Sequence, residues 1–255
     1  MQKKNFPAIF ILGLILMLAS CAKEGPTGPT GLAGPSFTGA ISGHVALYDK
    51  YGSRVLTNLD NVFLSLSGNS VMVNPVSTTG AYSFAYPTYA VATGTFYITA
   101  TDSAYAATTI NNINFVSGTY NQDVRLSALP DSFLVSLNAG HSSGSASDSL
   151  VIGAQPDARV RSCIVFANSI SPASNAITNY LVSYVCTIPA YATSITLIVP
   201  GQDLTNAGMT SGAVVYYSAY SYVVNDASVY EDLVSGKNVY NAVNNTPLTA
   251  SSFVP

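Results

Sequence analysis

From residue 38 to residue 129, hydrophobic and polar residues alternate in short runs separated by turn-forming residues. In the first run Ile41, Val45 and Leu47 fall on one face, and Ser42 and His44 fall on the other. A period of two is typical of a β-strand with one buried face. Similar runs occur at residues 62–66, 71–73, 81–84, 94–100, 113–115 and 123–126. Seven short strands without a helical repeat predict a β-sandwich over residues 38–129.

The alternation resumes after Leu129-Pro130 and predicts a second β-sandwich over residues 130–255. Its strands are expected at residues 133–137, 150–152, 160–167, 180–188, 195–199, 214–224 and 237–243, the last of these closing the sheet. The Gly- and Ser-rich stretch 139–149 is predicted to be a loop. The expected fold class is therefore all-β, with two tandem sandwiches of Ig-like or transthyretin-like type.

The longest predicted strand, residues 214–224, carries tyrosines on both faces. One face, with Val215, Tyr217 and Ala219, is suited to the core of the sandwich. The opposite face then carries three tyrosines: Tyr216, Tyr220 and Tyr222. Two interpretations stay open, since these rings either pack against another layer or form an exposed platform for a sugar or a protein partner.

An uncharged apolar run, residues 6–19, comes after the basic residues Lys3 and Lys4. The run is too short to span a bilayer comfortably, which takes roughly 20 apolar residues, and it matches the apolar part of a secretory signal. The end of the run and the next two residues read Leu18-Ala19-Ser20-Cys21. This segment resembles the bacterial lipobox, which consists of Leu, two small residues and Cys. The resemblance implies that residues 1–20 are a lipoprotein signal peptide and that Cys21 carries a diacylglycerol.

A lipid on Cys21 makes the membrane an expected partner. We therefore expect a lipid-anchored protein of the cell envelope, held at the outer membrane, and the leaflet stays open. Residues 21–37 combine this cysteine with a linker of collagen-like Gly-x-y triplets. Four triplets are too few for a stable triple helix, so an extended spacer is favoured over trimerisation, and we expect a monomer.

Charged residues make up only 8% of the chain, and the formal net charge is −3. A charge-poor, weakly acidic chain argues against nucleic acid as a partner, because that partner requires clustered lysine and arginine. The chain contains 17 Tyr and no Trp. The absence of Trp weakens the case for a sugar-stacking platform.

Cys163 and Cys186 are the cysteines that remain once Cys21 carries lipid. An exported protein folds in a compartment that permits disulfides. A disulfide between them is favoured slightly over two buried thiols, although the sequence does not show whether their Cα atoms lie within the required distance of about 4.4–6.8 Å.

No residue pattern indicates a catalytic site, a metal or a cofactor. His44 and His141 are far apart and lack the neighbouring ligands of a zinc site. The segment Gly140–Gly144 contains a His-Ser-Ser run but lacks the strand-to-helix context of a nucleophile elbow. Asp226 and the pair Glu231-Asp232 are better interpreted as an acidic turn than as calcium ligands.

Five segments of the first predicted sandwich form a family pattern: Ile41–Val45, Asn61–Leu64, Gly80–Phe84, Gly94–Ile98 and Tyr105. The pattern resembles the carboxypeptidase regulatory-like, transthyretin-like domain. Ala104 stands where that family often has Gly, and residues 86–93 are an insertion. The resemblance implies a sandwich fold and an accessory role, and it implies no peptidase activity because the family's zinc site belongs to a separate domain.

Two further resemblances concern the second predicted sandwich and the group of bacteria from which the protein comes. Residues 194–204 together with the later strand 214–222 are similar to the E and F strands of fibronectin type III domains. Asp102-Ser103-Ala104 and Asp148-Ser149-Leu150 resemble the O-glycosylation acceptor of Bacteroidetes-type bacteria. Together with the lipobox they imply a Bacteroidetes-like lipoprotein, and whether either acceptor is glycosylated stays open.

These features predict a non-catalytic envelope lipoprotein that serves as a structural, adhesive or accessory binding module. The alternative is a glycan-binding subunit of a nutrient-uptake system that uses exposed tyrosines. Because the lipid holds the N-terminal end, a binding surface is expected on residues 130–255 or at the seam between the sandwiches. The sequence does not identify the protein or glycan partner.

Overall fold

The computed structural model describes residues 39–68, 72–85, 94–141, 144–176, 179–223, 226 and 228–255. Three of the predicted features lie outside these described residues: the signal peptide 1–20, the lipid-accepting Cys21 and the spacer up to residue 37.

Strands account for nearly all the regular structure of the described residues. They are β1 (Gly39–Tyr48), β2 (Arg54–Val55), β3 (Phe63–Leu66), β4 (Met72–Val73), β5 (Ala81–Ala85), β6 (Gly94–Asp102), β7 (Tyr105–Phe115), β8 (Gly118–Asn121), β9 (Val124–Ser127), β10 (Leu134–His141), β11 (Ser147–Ala154), β12 (Arg161–Asn168), β13 (Val182–Ile188), β14 (Ser194–Pro200), β15 (Val214–Tyr222), β16 (Tyr230–Glu231), β17 (Asn238–Val239) and β18 (Leu248–Phe253). A short helix, α1 (Gly201–Asn206), and a 3₁₀ turn at Leu59–Asn61 interrupt them. The all-β prediction is confirmed. Within the described ranges, no helix has the length and apolar character needed to cross a membrane.

Strand β1 is the centre of the first sandwich. Its first half pairs with β5 and, in parallel, with β8, and its second half pairs with β2 and, in parallel, with β9. The facing antiparallel sheet has the order β4-β3-β6-β7. The core between them contains Ile41, Val45, Leu47, Leu64, Phe84, Ile98, Ile113, Phe115 and Leu126. The inward face that the alternation predicts for β1 is confirmed.

Two glycines allow other segments to approach β1 closely. A Cβ atom on Gly43 would lie 1.9 Å from the carbonyl oxygen of Gln122, and one on Gly80 would lie 2.4 Å from that of Val45. Gly80 also has a φ of +71°, in the region that favours glycine. The turn predicted at Gly80 ahead of β5 is therefore confirmed.

The second sandwich stacks the three-stranded sheet β10-β11-β14 on the four-stranded sheet β13-β12-β15-β18. All its strand pairs are antiparallel. The core contains Leu150, Ile152, Val165, Ile188, Val199, Leu204, Val215, Tyr217 and Ala219. Both sandwiches lie within one compact unit, Phe37–Pro255.

Two predictions for the second sandwich are wrong. The stretch 139–149 is strand at both ends, because β10 continues to His141 and β11 begins at Ser147. The sheet is closed by β18 and not by residues 237–243, of which only β17 is a strand. The hydrophobic pattern does not predict β18, because the buried position of this strand is Ser252 and not a large apolar residue.

A buried carboxylate connects the two sheets of the second sandwich. Asp148 on β11 is fully buried. Its Oδ2 accepts a hydrogen bond of 2.6 Å from the Tyr217 hydroxyl on β15, and its Oδ1 accepts one of 3.1 Å from the Ser252 hydroxyl on β18. Nδ1 of His141 lies 3.2 Å from the same Oδ1. Burial and the bond to Asp148 raise the pKa of Tyr217, so its hydroxyl remains a donor well above neutral pH.

Removal of the Tyr217 hydroxyl should destabilise the protein. In Tyr217→Phe the buried Asp148 carboxylate loses its shortest hydrogen bond and gains no water in exchange. We expect the free energy of unfolding to fall by about 1–3 kcal/mol, measured by urea unfolding at neutral pH.

Tyr184→Phe is the matched control. The Tyr184 hydroxyl lies 3.4 Å from Oδ2 of Asp203 at an exposed site, so its loss should change stability by less than about 0.5 kcal/mol. Equal losses in the two variants would contradict the role of the Asp148 contacts.

Candidate functional site

The tyrosines predicted to share the outer face of β15 do not form an exposed platform. Tyr220 and Tyr222 are each only 5% exposed, so the packing interpretation is correct for them and the platform interpretation is wrong. Tyr216 is half-buried and borders an open depression with Pro172 and Ser251. The physical reason is that chain segments far from β15 in sequence cover this face.

These covering segments build an aromatic cluster. Its members are Phe166, Tyr180, Tyr220, Tyr222 and Tyr240, whose contacting ring centroids lie 5.0–5.9 Å apart. Most of the ring pairs meet edge to face, the arrangement that aromatic quadrupoles favour. The Tyr180 hydroxyl donates to the carbonyl oxygen of Asn238, and burial raises the pKa of Tyr180 to about 12. The cluster therefore holds the segment 228–243 against the second sandwich.

Each histidine is paired with an aspartate. His141 contacts the buried Asp148, and Nδ1 of His44 lies 3.7 Å from Oδ1 of Asp123 at an exposed position. The described part of the chain contains no group of three or more His, Cys, Asp or Glu residues that could hold a metal ion.

Cys163 and Cys186 lie directly opposite each other on β12 and β13. Both are free thiols buried in the core of the second sandwich. A hydrogen bond with Cys186 and burial together raise the pKa of Cys163. The expected adjacency of the two strands is confirmed, and the disulfide stays a prediction.

The two sandwiches meet where the segment 228–243 lies along β7, the last strand in the order β4-β3-β6-β7. Three hydrogen bonds cross the seam: Thr108 Oγ1 to the Ser228 carbonyl (3.2 Å), Asn111 Nδ2 to the Glu231 carbonyl (2.9 Å) and Asn241 Nδ2 to the Ala107 carbonyl (2.7 Å). Ala106, Val223 and Ala242 pack together beside them. These contacts cover part of an edge strand, and the Asn241 amide supplies a hydrogen bond to one of its backbone carbonyls, that of Ala107.

A groove, here called the seam groove, runs along this contact. It consists of two adjoining depressions of about 390 and 240 Å³, which share Thr109, Asn111, Tyr230 and Leu233. Strands β6 and β7 form one wall, and the β16–β17 hairpin forms the other. The larger depression falls within the size range of ligand pockets.

A β-bulge brings polar and aromatic groups together in the seam groove. The β6–β7 ladder shifts register between Phe96 and Ile98, so that Tyr97 alone faces both Asn111 and Asn112. Asn112 has a φ of +59°, a conformation that Asn adopts more readily than most residues. Tyr97 is 51% exposed. Since bulges redirect side chains, this one gathers a ring and two amides at one place.

Two of the carboxylates that line the seam groove, Asp123 and Asp232, have hydrogen-bond partners inside the protein. Asp123 accepts a hydrogen bond of 3.0 Å from the His44 backbone N–H. Asp232 accepts two of 2.8 Å from the N–H and hydroxyl of Ser235, which lower the pKa of Asp232. The other lining residues are Arg125, Glu231 and a larger set of uncharged side chains, mainly threonine hydroxyls, asparagine amides and tyrosine rings. These neutral polar groups can donate or accept hydrogen bonds.

The sequence pattern places the seam groove only in general terms. A surface at the seam is one of two expectations, but the hydrophobic pattern singles out none of the lining residues. Tyr97 occurs as an ordinary member of a predicted strand, and Tyr230 lies outside every predicted strand. The adjacent Asn111 and Asn112 between apolar residues are the one signal that could have indicated a bulge.

No family model matches this chain, and no curated protein matches it. Among solved structures, it is similar to a candidate carbohydrate-binding protein from Bacteroides uniformis, with 13% identity, 85% of this chain and 100% of that chain covered, and a TM-score of 0.30. It is also similar to a DUF3823 family protein from Parabacteroides merdae, with 13% identity, coverage of 84% and 99%, and a TM-score of 0.26. A DUF3823 family protein from Bacteroides ovatus has 12% identity, coverage of 74% and 93%, and a TM-score of 0.28. Similarity at this level assigns no residue a role.

We expect Cys163 and Cys186 to be bridged when the protein folds under oxidising conditions. Unfolding the protein without reductant and alkylating it should label neither residue, and peptide mapping should recover them as one linked pair. Reduction should lower the free energy of unfolding by about 3 kcal/mol, because the bridge restricts the unfolded chain.

The double variant Cys163→Ala, Cys186→Ala is the control, and its stability should not respond to reductant. Two alkylated thiols per chain in unreduced protein taken from the envelope would contradict the bridge.

Proposed function

We propose that this protein is a non-catalytic, lipid-anchored binding module of the cell envelope and that its seam groove binds a neutral glycan. The observation that carries the proposal is the bulge, which places Tyr97, Asn111 and Asn112 together opposite the hairpin that carries Tyr230. Glycan binding, the alternative predicted from the sequence, is therefore retained. The tyrosines proposed to contact the glycan are now Tyr97 and Tyr230 in place of Tyr216, Tyr220 and Tyr222.

The chemistry of the seam groove suits a sugar. A pyranose has an apolar C–H face that stacks on an aromatic ring, and its hydroxyls both donate and accept hydrogen bonds. Tyr97 and Tyr230 supply rings, while Thr99 and Thr109 supply hydroxyls. Side chains of this kind match a hydroxyl-rich ligand better than an ionic one.

The groove is also formed before any ligand arrives. The hydrogen bonds across the seam fix the hairpin to β7 from one side, and the aromatic cluster holds the same segment from beneath. A ligand therefore meets two walls that need no ordering, which reduces the entropic cost of binding.

A structural or adhesive role is the second candidate. The outer face of the sheet β10-β11-β14 exposes Val135, Val151 and Ile198. Neighbouring apolar side chains on a charge-poor surface are suited to contact with another protein. The arrangement of three strands facing four in the second sandwich supports its resemblance to fibronectin type III domains. For the first sandwich, we propose that β1 and its parallel neighbours β8 and β9 form the framework of a carboxypeptidase regulatory-like domain.

The glycan proposal is tested by Tyr97→Ala. We expect the full chain to bind neutral oligosaccharides on a glycan array and the variant to bind the selected glycan about tenfold more weakly, because an exposed stacking ring is lost. Calorimetric titration with that glycan measures the difference.

Tyr191→Ala is the matched control, because Tyr191 is 73% exposed and lies outside the seam groove. It should bind the glycan like the wild type. Failure of the wild type to bind any glycan would end the proposal and leave the structural or adhesive role.

The anchor is tested by Cys21→Ser. We expect the unchanged chain to incorporate labelled fatty acid and to sediment with membranes, and the variant to do neither, because the thiol that accepts the lipid is gone. Cys163→Ala should keep both properties. A Cys21→Ser protein that still carries the label would show that the lipid is attached elsewhere.

A further inference from the structure

A second cavity, here called the junction pocket, lies where the chain passes from the first sandwich to the second. It has a volume of about 120 Å³, and its walls include Lys50, Tyr51, Phe133, Asp157 and Arg161. It shares no lining residue with the seam groove. The two sites are therefore separate, and a ligand in the junction pocket is independent of glycan binding in the seam groove.

Positive charge is concentrated at the junction pocket. Residues 39–255 contain six lysines and arginines: Lys50, Arg54, Arg125, Arg159, Arg161 and Lys237. Two of them line the pocket, and a third, Arg159, stacks on a lining residue with its Cζ 3.2 Å from the centre of the Tyr51 ring. In a chain with a net charge of −3, half of the cations in this range thus meet at one place.

The two carboxylates of the junction pocket already have partners. Asp131 is ion-paired with Lys50. Asp157 accepts a hydrogen bond from the Arg159 backbone N–H, which with nearby cations lowers the pKa of Asp157, and it lies 3.9 Å from Nε of Arg159. Arg161 forms no ion pair with a described residue.

Arg161 is held in place as a buried cation. It is only 6% exposed, and its Cζ lies 4.4 Å from the centre of the Phe133 ring. One Nη2 hydrogen bond goes to the carbonyl oxygen of Gln155. Its Nε is buried and has no hydrogen-bond partner in the described structure. A buried guanidinium with an unused donor is costly, and an anion bound beside the guanidinium reduces that cost.

We propose that the junction pocket binds a small organic carboxylate through Arg161. The planar guanidinium matches the two oxygens of a carboxylate, and the pair is strengthened by its charges. The cavity of about 120 Å³ is several times the roughly 10–15 Å³ that a single water needs, so it admits a carboxylate and a few carbon atoms. The rings of Tyr51 and Phe133 offer the apolar surface that would contact those carbons.

Propionate and propionamide are the test ligands, because they have nearly the same shape and differ in charge. In the full chain, we expect propionate to shift the NMR signal of the Arg161 Nε–H in a saturable way. Propionamide should bind about tenfold more weakly or worse, since it lacks the charge-assisted hydrogen bonds. The signal is assigned by its loss in Arg161→Gln.

If Arg161→Gln fails to fold, propionate binding by the Lys50→Gln variant tests the same proposal. Lys50 is partly exposed, and its loss should weaken propionate binding by about threefold through reduced positive charge. Arg54→Gln, which removes an exposed cation outside the pocket, should leave binding unchanged.

Equal shifts with propionate and propionamide, or no shift of the Arg161 signal with either, would overturn the proposal. A glycan that perturbs Tyr97 bears only on the seam groove, so the failure of one site is distinguishable from the failure of the other.

Discussion

The free edge of β7 is the constraint on which the arrangement of this protein depends. A strand at the end of a sheet presents backbone groups that must meet water, another strand or a cover. Here the cover is a segment of the second sandwich, with Asn241 donating to the Ala107 carbonyl and Asn111 donating back to the Glu231 carbonyl. The segment that covers this edge therefore also joins the two sandwiches and forms one wall of the groove between them.

The aromatic cluster fixes the position of the segment that covers β7. The Tyr240 ring belongs to the segment that covers β7, and it packs edge to face on Phe166 and Tyr222. A short two-stranded hairpin is marginal by itself in water, and packing on a hydrophobic face gives it a fixed position. Tyr220 and Tyr222 of β15 thus support one wall of the seam groove from the inside and are not themselves available to a ligand.

The scarcity of charge shapes both proposed sites. In the seam groove, Asp123 and Asp232 accept hydrogen bonds from internal donors, and most of the other lining side chains are neutral. At the junction pocket, Lys50 and Arg159 lie near Arg161, which forms no ion pair with a described residue. Two regions at the contact between the sandwiches therefore differ in the ligands they suit, one hydroxyl-rich and neutral, the other anionic.

Local pattern was sufficient for the strands whose inner positions are large and apolar, as in β1 with Ile41, Val45 and Leu47, because alternation depends only on neighbouring residues. It failed for β18, where the buried position is Ser252, since a polar residue becomes an inner one only when a partner such as Asp148 lies opposite. It also failed to find the seam groove, whose central feature is a bulge that depends on the register of two strands.

By itself, the sequence determined the all-β class, most strands and the core-facing side of β15, because burial on one face leaves a period of two along the chain. The tertiary structure alone decided that Tyr220 and Tyr222 are buried, that Arg161 forms no ion pair with any described residue and that β7 is covered. Each of these depends on segments distant in sequence, and contacts of that kind leave no periodic trace in the chain.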